Sequence, residues 1–321
     1  HMKILAVQNR MGIGDTIIFL PFIKALYKKF NSPISLLVKE NSKADQYLYQ
    51  TEYIDKILLL ERDDKNNSRH SGFFGSINLI KDLKKHNFDK IFIFNSSFRF
   101  YLISKFLGIS EIHQYPLFQK NRQHITDAPK KFIKDKLNLE VNEDPEIQIN
   151  DKLTSKLTEK FQIKKNEMNI LLGVGGSGPT KRIPAKTFLN VIDKISKVKK
   201  CKFFLAAGKN KEEQNIITEI LESKYKNLCI PLDNFSIKET LPIIKNCNLS
   251  VCNDSSFSHL SAALGIKTIT LMADTPLIYG SYSSKMFPII PDGEEIVVHN
   301  TLGKEKINSQ KIFDKIIEIA N

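Results

Sequence analysis

The sequence predicts an α/β protein made of two doubly wound parallel-sheet domains facing a central cleft, and three observations carry that prediction. Short apolar runs alternate with amphipathic stretches at helical spacing along the chain from residue 3 to residue 272. The alternation weakens once, around 138–167, where charge density rises. Glycine-rich turns follow the first strand of each half, at 12–14 and 173–178, where backbone amides gather readily around anions. At about 150 residues per domain, 321 residues suit two domains.

Residues 3–8 read as a strand, followed by the turn Met11-Gly12-Ile13-Gly14-Asp15. A helix is predicted over 16–30, with Ile17, Leu20, Ile23, Leu26, Tyr27 and Phe30 on one face and Lys24, Lys28 and Lys29 on the other. Strands at 34–38, 56–60 and 90–94 then alternate with helices at 42–50 and 74–85. These elements make a first domain over 1–150. Residues 151–167 read as a linker carrying one charged helix, 151–161. The second domain, 168–307, starts with a strand at 169–174 and continues with helices at 185–198, 212–223, 237–246 and 256–264. Strands at 202–207, 228–231, 249–253 and 266–272 separate them. The closing segment, 308–321, holds a helix at 309–319 that is expected to pack back onto the first domain. Doubly wound sheets place ligands beyond the carboxyl ends of their strands.

With 41% hydrophobic and 26% charged residues the composition is that of a globular protein, and its formal charge is +13. No apolar run approaches the ~18 residues of a membrane span, which excludes an integral membrane protein. His1-Met2 reads as a cloning scar, and no signal-cleavage pattern follows it, so a cytoplasmic protein is expected. The four cysteines, Cys201, Cys229, Cys247 and Cys252, form no CxxC pair and read as buried thiols. Seven scattered His residues without an HExxH pair argue against zinc, and no metal is expected.

Three segments could carry chemistry. Asp15, at the glycine turn, reads either as a general base in the cleft or as a helix N-cap. Gly173-Val174-Gly175-Gly176-Ser177-Gly178 matches GxGxxG, but Pro179 and Pro184 delay the next helix and no acidic residue ends the next strand. A dinucleotide turn leads straight into its helix. The loop therefore reads as a diphosphate cradle of backbone amides, Ser177 and Thr180 hydroxyls, and the charges of Lys181 and Arg182. The third segment, Cys252-Asn253-Asp254-Ser255-Ser256-Phe257-Ser258-His259, runs from a strand end into a small-residue helix. Asp254 and Ser255 would stand at its N-terminus, with His259 one turn on, lining the same cleft or simply structural.

Together these segments resemble glycosyltransferase family 9, the ADP-heptose lipopolysaccharide heptosyltransferases. The opening KILAVQNRMGIGDTIIFLPFIKALYKKF is similar to that family's strand, glycine-Asp turn and first helix. GGSGPTKRIPAKTF resembles its diphosphate loop, and CNDSSFSHLSAALGIKTITL its Asp-Thr-Gly-x-x-His-x-x-Ala-Ala signature. The matches span residues 3 to about 280 in the family's order. The resemblance implies a GT-B fold of two Rossmann-like domains, acceptor on the first and sugar nucleotide mainly on the second, with inverting, metal-independent transfer. It implies Asp15 as base, Lys181 as the phosphate-binding group and His259 as the signature His. To the turn residues Gly12, Gly14, Ser177, Gly178 and Thr180, which the glycine turns themselves suggest as donor contacts, the resemblance adds Lys181, Asp254, Ser255, Ser256 and His259, with Glu212 on the ribose and Glu213 its close competitor. Three departures stand out: Ile183 where the family commonly has Trp, Ser255-Ser256 for Thr-Gly, and Ala273-Asp274-Thr275-Pro276 for Gly-Pro-Thr-Asp-Pro.

The implied co-substrate is a nucleotide sugar, ADP-linked, with no further cofactor, and the acceptor is a lipid-linked or phosphorylated glycan. Arg62, Arg69, Arg99, Arg122 and His124 are the acceptor candidates. Basic and aromatic residues interleave at 98–101, 105–106 and 130–134, which suits peripheral contact with an anionic membrane at the cytoplasmic face. UDP- or GDP-sugar transfer is the nearest alternative. Nucleic-acid binding, suggested by charge alone, lacks any accompanying motif and is not expected. An NAD-dependent oxidoreductase and a member that binds without catalysing rank below these.

Overall fold

The computed structural model describes residues 2–10, 12–62, 68–118 and 124–320. The chain divides into two units, His1–Gln148 and Ile149–Asn321.

In the first unit, strands β1 (Ile4–Gln8), β2 (Ile34–Lys39), β3 (Ile54–Leu60), β4 (Lys90–Ile93) and β5 (Glu111–Gln114) form a parallel sheet in the order β3-β2-β1-β4-β5. The central β1 is buried along its whole length. That is why it reads as an unbroken apolar run rather than an alternating one. Helix α1 (Ile13–Phe30) starts three residues earlier than 16. Gly12 makes that start by adopting φ 97°, a backbone conformation other residues reach only with strain. Asp15 is consequently a first-turn residue and not the N-cap. The helix ends where Asn31 turns left-handed at φ 49°.

The helix predicted at 42–50 is instead two 3-10 turns, Glu40–Ser42 and Ala44–Gln46. The Ser42 hydroxyl donates to Lys39 O (2.6 Å) and Lys43 is left-handed at φ 49°, so local side-chain bonding displaces the helical ladder. Helices α2 (Gly72–Lys84), α3 (Phe98–Phe106) and α4 (Asp127–Leu137) complete the unit. Neither α3, β5 nor α4 was anticipated. In α3 the period is blurred because Phe98, Leu102 and Phe106 face outward while Phe100 and Ile103 face the core.

Helix α5 (Asp151–Lys160) has no buried residue, as a linker helix would, yet it is fastened to the second unit. The Thr158 hydroxyl donates to Asn246 Oδ1 (2.7 Å), and Asn246 Nδ2 donates to Thr154 O (2.9 Å). The second sheet comprises β6 (Met168–Gly173), β7 (Cys201–Ala206), β8 (Cys229–Pro231), β9 (Leu249–Asn253), β10 (Lys267–Leu271) and β11 (Met286–Ile289), all parallel, in the order β11-β10-β9-β6-β7-β8. The helices are α6 (Ala185–Ser196), α7 (Lys211–Leu221), α8 (Ile237–Lys245), α9 (Ser256–Ala263) and α10 (Ser309–Ile319). Strand β11 extends the sheet past the end predicted for it. The expectation for the last helix is also corrected: α10 buries Ile312, Ile316 and Ile319 in the second unit's own core, and Lys267 Nζ donates to Ile319 O (2.9 Å). An isoleucine stripe spaced by four and three makes one continuous apolar face, and the nearest core takes it.

All four cysteines are buried and unbridged. Burial pushes the Cys201 thiol up to about 11 and Cys252 to about 12, which keeps them protonated and inert. Among the described residues no helix is long and apolar enough to cross a membrane.

Both sheets reverse their winding beside the strand that opens them. In the first, β1 has β2 on one side and β4 on the other; in the second, β6 lies between β7 and β9. Such switch points leave a crevice beyond the carboxyl ends of the two strands.

Candidate active site

At the first unit's switch point a cavity of 220 Å³ is lined by Gln8, Asn9 and Arg10 after β1, Phe94, Asn95 and Ser96 after β4, and by Asp15, Phe19, Tyr115, His124, Ile125 and Pro129. Asp15 sits in the first turn of α1 with the Arg10 guanidinium 4.0 Å from its carboxylate. Both the helix N-terminus and Arg10 attract a negative group there. Asn95 Oδ1 accepts from Ser97 N (2.9 Å), whereas Asn95 Nδ2 and Ser96 Oγ are buried without any partner. Leaving such groups unbonded costs about 1–3 kcal/mol each, and a polar ligand in the cavity would recover it. Burial raises the Tyr115 hydroxyl well above the ordinary phenol range, so it serves as a neutral hydrogen-bonding group.

Of the acceptor candidates among the described residues, only His124 lines this cavity. Its Nδ1 accepts from Thr126 N (3.2 Å) and Asp127 N (3.1 Å), which ties it to the start of α4. Arg69 is corrected to a structural role: it pairs bidentately with Asp82 (2.9 and 2.6 Å), and His70 Nε2 bonds the same carboxylate at 2.7 Å. Arg69, with His70, holds the Asp82 carboxyl well below its usual range. Arg99 is corrected likewise. Its Nε donates to Ser76 Oγ (2.8 Å) and its Nη2 to His70 O (2.5 Å), clamping α3 to the start of α2. A half-buried guanidinium is held by whatever acceptors lie within reach, and here they belong to the fold. Arg62 is exposed and lines no part of the cavity. Arg122 lies outside the described residues.

At the second unit's switch point the glycine loop after β6 meets the turn between β9 and α9. Asn253 Nδ2 bridges them, donating to Val174 O (3.1 Å) and Gly175 O (3.0 Å). Glu213, buried in α7, accepts from Gly176 N (2.7 Å) and Gly208 N (3.2 Å). Gly175 is required by this approach, because a Cβ there would come within 2.2 Å of Glu213 Oε1. Arg182 donates through Nε to Gly176 O (2.8 Å) and pairs with Glu212. The loop is therefore pinned from two sides. No helix follows it directly: a 3-10 turn, Pro179–Lys181, intervenes before α6, unlike a dinucleotide turn.

Lys181 is half-buried, with Nζ 3.3 Å from Asp254 Oδ2, and Thr275 Oγ1 donates to the same oxygen at 2.7 Å. His259 Nε2 stands 3.9 Å from Asp254 Oδ1, and its Nδ1 bonds Tyr282 Oη at 2.7 Å. Burial lowers the His259 pKa; Asp254 opposes that shift and Lys181 adds to it. The imidazole is consequently neutral at physiological pH. Ser255 is the N-cap of α9 with its hydroxyl buried and unpartnered, and Ser256 opens the first turn, whose backbone N–H groups lack intrahelical acceptors. Ser177 is exposed on the loop, and Gly178 and Thr180 flank Pro179. Lys181, Asp254, Ser255, Ser256 and His259 thus form one cluster.

The structure reassigns several expected contacts. Arg182 braces the loop rather than standing over it. Glu212 is engaged with Arg182, while its competitor Glu213 is spent on loop amides, because a buried carboxylate binds whatever donors surround it. Gly12 and Gly14 belong to the first unit, at the Asp15 turn. Asn95, Ser96, Tyr115 and Tyr282 escaped the sequence reading, and Thr275 entered it only within the departure from Gly-Pro-Thr-Asp-Pro; the places of Asn95, Ser96 and Tyr115 just after strand ends are a weak signal.

The profile of glycosyltransferase family 9 (heptosyltransferase) matches residues 77–316. Lipopolysaccharide heptosyltransferase 1 of Campylobacter coli is 27% identical over 340 residues, covering 94% of this chain and 93% of that protein. Lipooligosaccharide heptosyltransferase 2 of Campylobacter jejuni is 30% identical over 278 residues, covering 82% and 78%. Among solved structures, the family 9 glycosyl transferase of Veillonella parvula superposes with a TM-score of 0.77 at 16% identity over 100% of this chain and 97% of that one. The E. coli ADP-heptose LPS heptosyltransferase II gives 0.74 at 17%, over 99% and 98%. At these identities the superpositions establish the fold, which is GT-B.

Proposed function

The chain belongs to glycosyltransferase family 9, the heptosyltransferases, and from that premise we propose that it transfers heptose from ADP-heptose to a lipopolysaccharide acceptor with inversion and without a metal. One observation carries the reading. The two switch points hold complementary chemistry, a carboxylate in a polar cavity on one unit and a lysine beside a helix N-terminus on the other.

Inverting displacement asks for a base on one face of the anomeric carbon and stabilisation of departing charge on the other. Asp15 takes the proton of the acceptor hydroxyl as its oxygen attacks the anomeric carbon. The bond from that carbon to the diphosphate breaks, and the charge released falls to Lys181 Nζ and the first-turn amides of α9. Asp254 holds Lys181 in place before the diphosphate arrives. Neutral His259, oriented by Tyr282, presents a hydrogen bond to the donor without adding charge. Glu212 reaches the ribose only by leaving Arg182.

Calorimetric titration of the metal-free protein against ADP, UDP, GDP and NAD tests the donor assignment. ADP is expected to bind most tightly. Preference for UDP or GDP would keep the transferase and discard the heptose donor, and preference for NAD would overturn the diphosphate-cradle reading. Transfer that persists in excess EDTA is expected from the scheme, and its loss would return the leaving-group role to a metal.

A further inference from the structure

Helices α2 and α3 carry an unusual surface. Phe73 and Phe74 at the start of α2 are 76% and 78% exposed, Phe106 at the end of α3 72%, and Phe118 beyond β5 78%. Phe98 and Leu102 on α3 and Ile77 on α2 are exposed as well. Water-facing apolar groups this numerous and this close mark an interaction surface. They are close because Arg99 ties the two helices together, through Ser76 and His70. Ser76 is flanked on α2 by Phe73 and Ile77, and Arg99 on α3 by Phe98 and Leu102. The Phe118 ring stands 5.9 Å from Phe98.

The charge on these helices is of one sign. Lys81 and Lys84 continue the exposed face of α2 below Ile77, and Lys105 on α3 lies over the Tyr101 ring at 5.6 Å. Helix α3 contains no acidic residue, and the single acid of α2, Asp82, is consumed by Arg69 and His70. Protruding phenylalanines among unpaired-in-sign lysines fit a bilayer with anionic headgroups, where rings enter the acyl boundary and ammonium groups stay at the phosphates. The surface also begins where the Asp15 cavity ends: Asn95 and Ser96 line the cavity and Phe98 opens α3 two residues later.

We propose that the α2–α3 face docks this protein on an anionic membrane surface, with Phe73, Phe74, Phe98, Phe106 and Phe118 inserted. The Asp15 cavity then opens beside the bilayer, so an acceptor presents its sugar there while its acyl chains remain in the membrane. The identity of that acceptor rests on the heptosyltransferase reading; the docking itself does not.

The test is sedimentation of the full chain with vesicles of phosphatidylglycerol and phosphatidylcholine, or of phosphatidylcholine alone, in the absence of donor and acceptor. Binding is expected to the anionic vesicles and to weaken in high salt. The pair Phe73→Ser and Phe74→Ser is expected to lower partitioning about tenfold or more, and each of Lys81→Glu, Lys84→Glu and Lys105→Glu about fivefold or more. Ile296→Ser, on an equally exposed apolar residue of the second unit, is expected to change nothing. No binding of the wild type to anionic vesicles would overturn the proposal. So would unchanged binding by the Phe variants, or a vesicle-free dimer that those variants dissolve, which would assign the face to a second copy. Transfer from ADP-heptose to an acylated acceptor carried in the anionic vesicles is read separately. Its absence while vesicle binding holds would discard the heptosyltransferase reading and leave the docking surface standing.

Discussion

The two switch points follow one topological rule and are finished differently. In the second unit the crevice is braced before any ligand is present: Asn253 joins the two loops, Glu213 holds Gly176 and Gly208, and Asp254 collects Lys181 and Thr275. In the first, Asn95 Nδ2 and Ser96 Oγ line the cavity and are buried without partners. A braced cradle suits a diphosphate, whose charge rewards donors that need no rearrangement. Unpaired polar groups suit a sugar, whose hydroxyls supply the missing partners. The comparison teaches that bracing and ligand readiness are separable: the first crevice is left open, whereas the second is braced and still keeps Ser255 Oγ and Asn253 Oδ1 without partners.

The sharpest way to break the comparison is Asp15→Asn, which keeps shape and removes the base. Turnover is expected to fall about 10²–10⁴-fold, with ADP affinity measured by calorimetry unchanged; wild-type turnover would remove Asp15 from the mechanism. Lys181→Ala acts on the other unit and is expected to cost about 10²–10³-fold in kcat and also to weaken ADP binding. If only ADP binding changed, the lysine would hold the ground state and not the leaving charge.

Glu213→Ala tests the bracing itself. It deprives two loop amides of their acceptor and is expected to destabilise the protein by about 2–4 kcal/mol in urea unfolding, whereas Glu213→Gln keeps an acceptor oxygen and costs less. Ser96→Ala is the counterpart on the first unit. Its hydroxyl has no partner to lose, so stability should stay within about 0.5 kcal/mol while the acceptor KM rises about five- to tenfold. A stability loss as large as that of Glu213→Ala would erase the distinction between the units.

The smallest effect concerns pH. The pKa of His259 is lowered in the fold from 6.5, so above pH 6.5 both folded and unfolded forms are neutral and its contribution is fully present. As pH falls below that value the unfolded chain takes up the proton first, and stability declines. His86 and His113 are lowered by burial in the same sense. The informative measurement is therefore the difference between wild type and His259→Gln, whose urea midpoint should fall less steeply on acidification. Identical slopes would show that the buried imidazole is not the group being titrated.

Much of this molecule is legible in its residues. Central strands such as β1 and β6 are buried on both faces, so their apolar runs declare a parallel sheet, and the break near 138–167 marks where one sheet stops and the next begins. Asp15, Lys181, Asp254 and His259 stand beside glycine turns or strand ends, which is where open sheets bind ligands. Where side-chain bonding or two-sided exposure overrode periodicity, reading failed: the turns around Ser42, and α3 with its outward phenylalanines.

By itself the sequence determined the alternation of strands and helices, the division into two units and the residue types available at each strand end, because those are local matters of burial, spacing and turn chemistry. Only the tertiary structure decided which polar groups found partners. Arg99, Arg182, Glu212 and Glu213 all read as ligand-binding charges, and the fold uses each of them for its own bracing. Asn95 and Ser96 carry no distinguishing mark in the sequence, and burial without a partner makes them the open side of a site. The physical reason is that a side chain's role depends on the donors and acceptors within about 3 Å of it, and residues separated by tens of positions supply most of them.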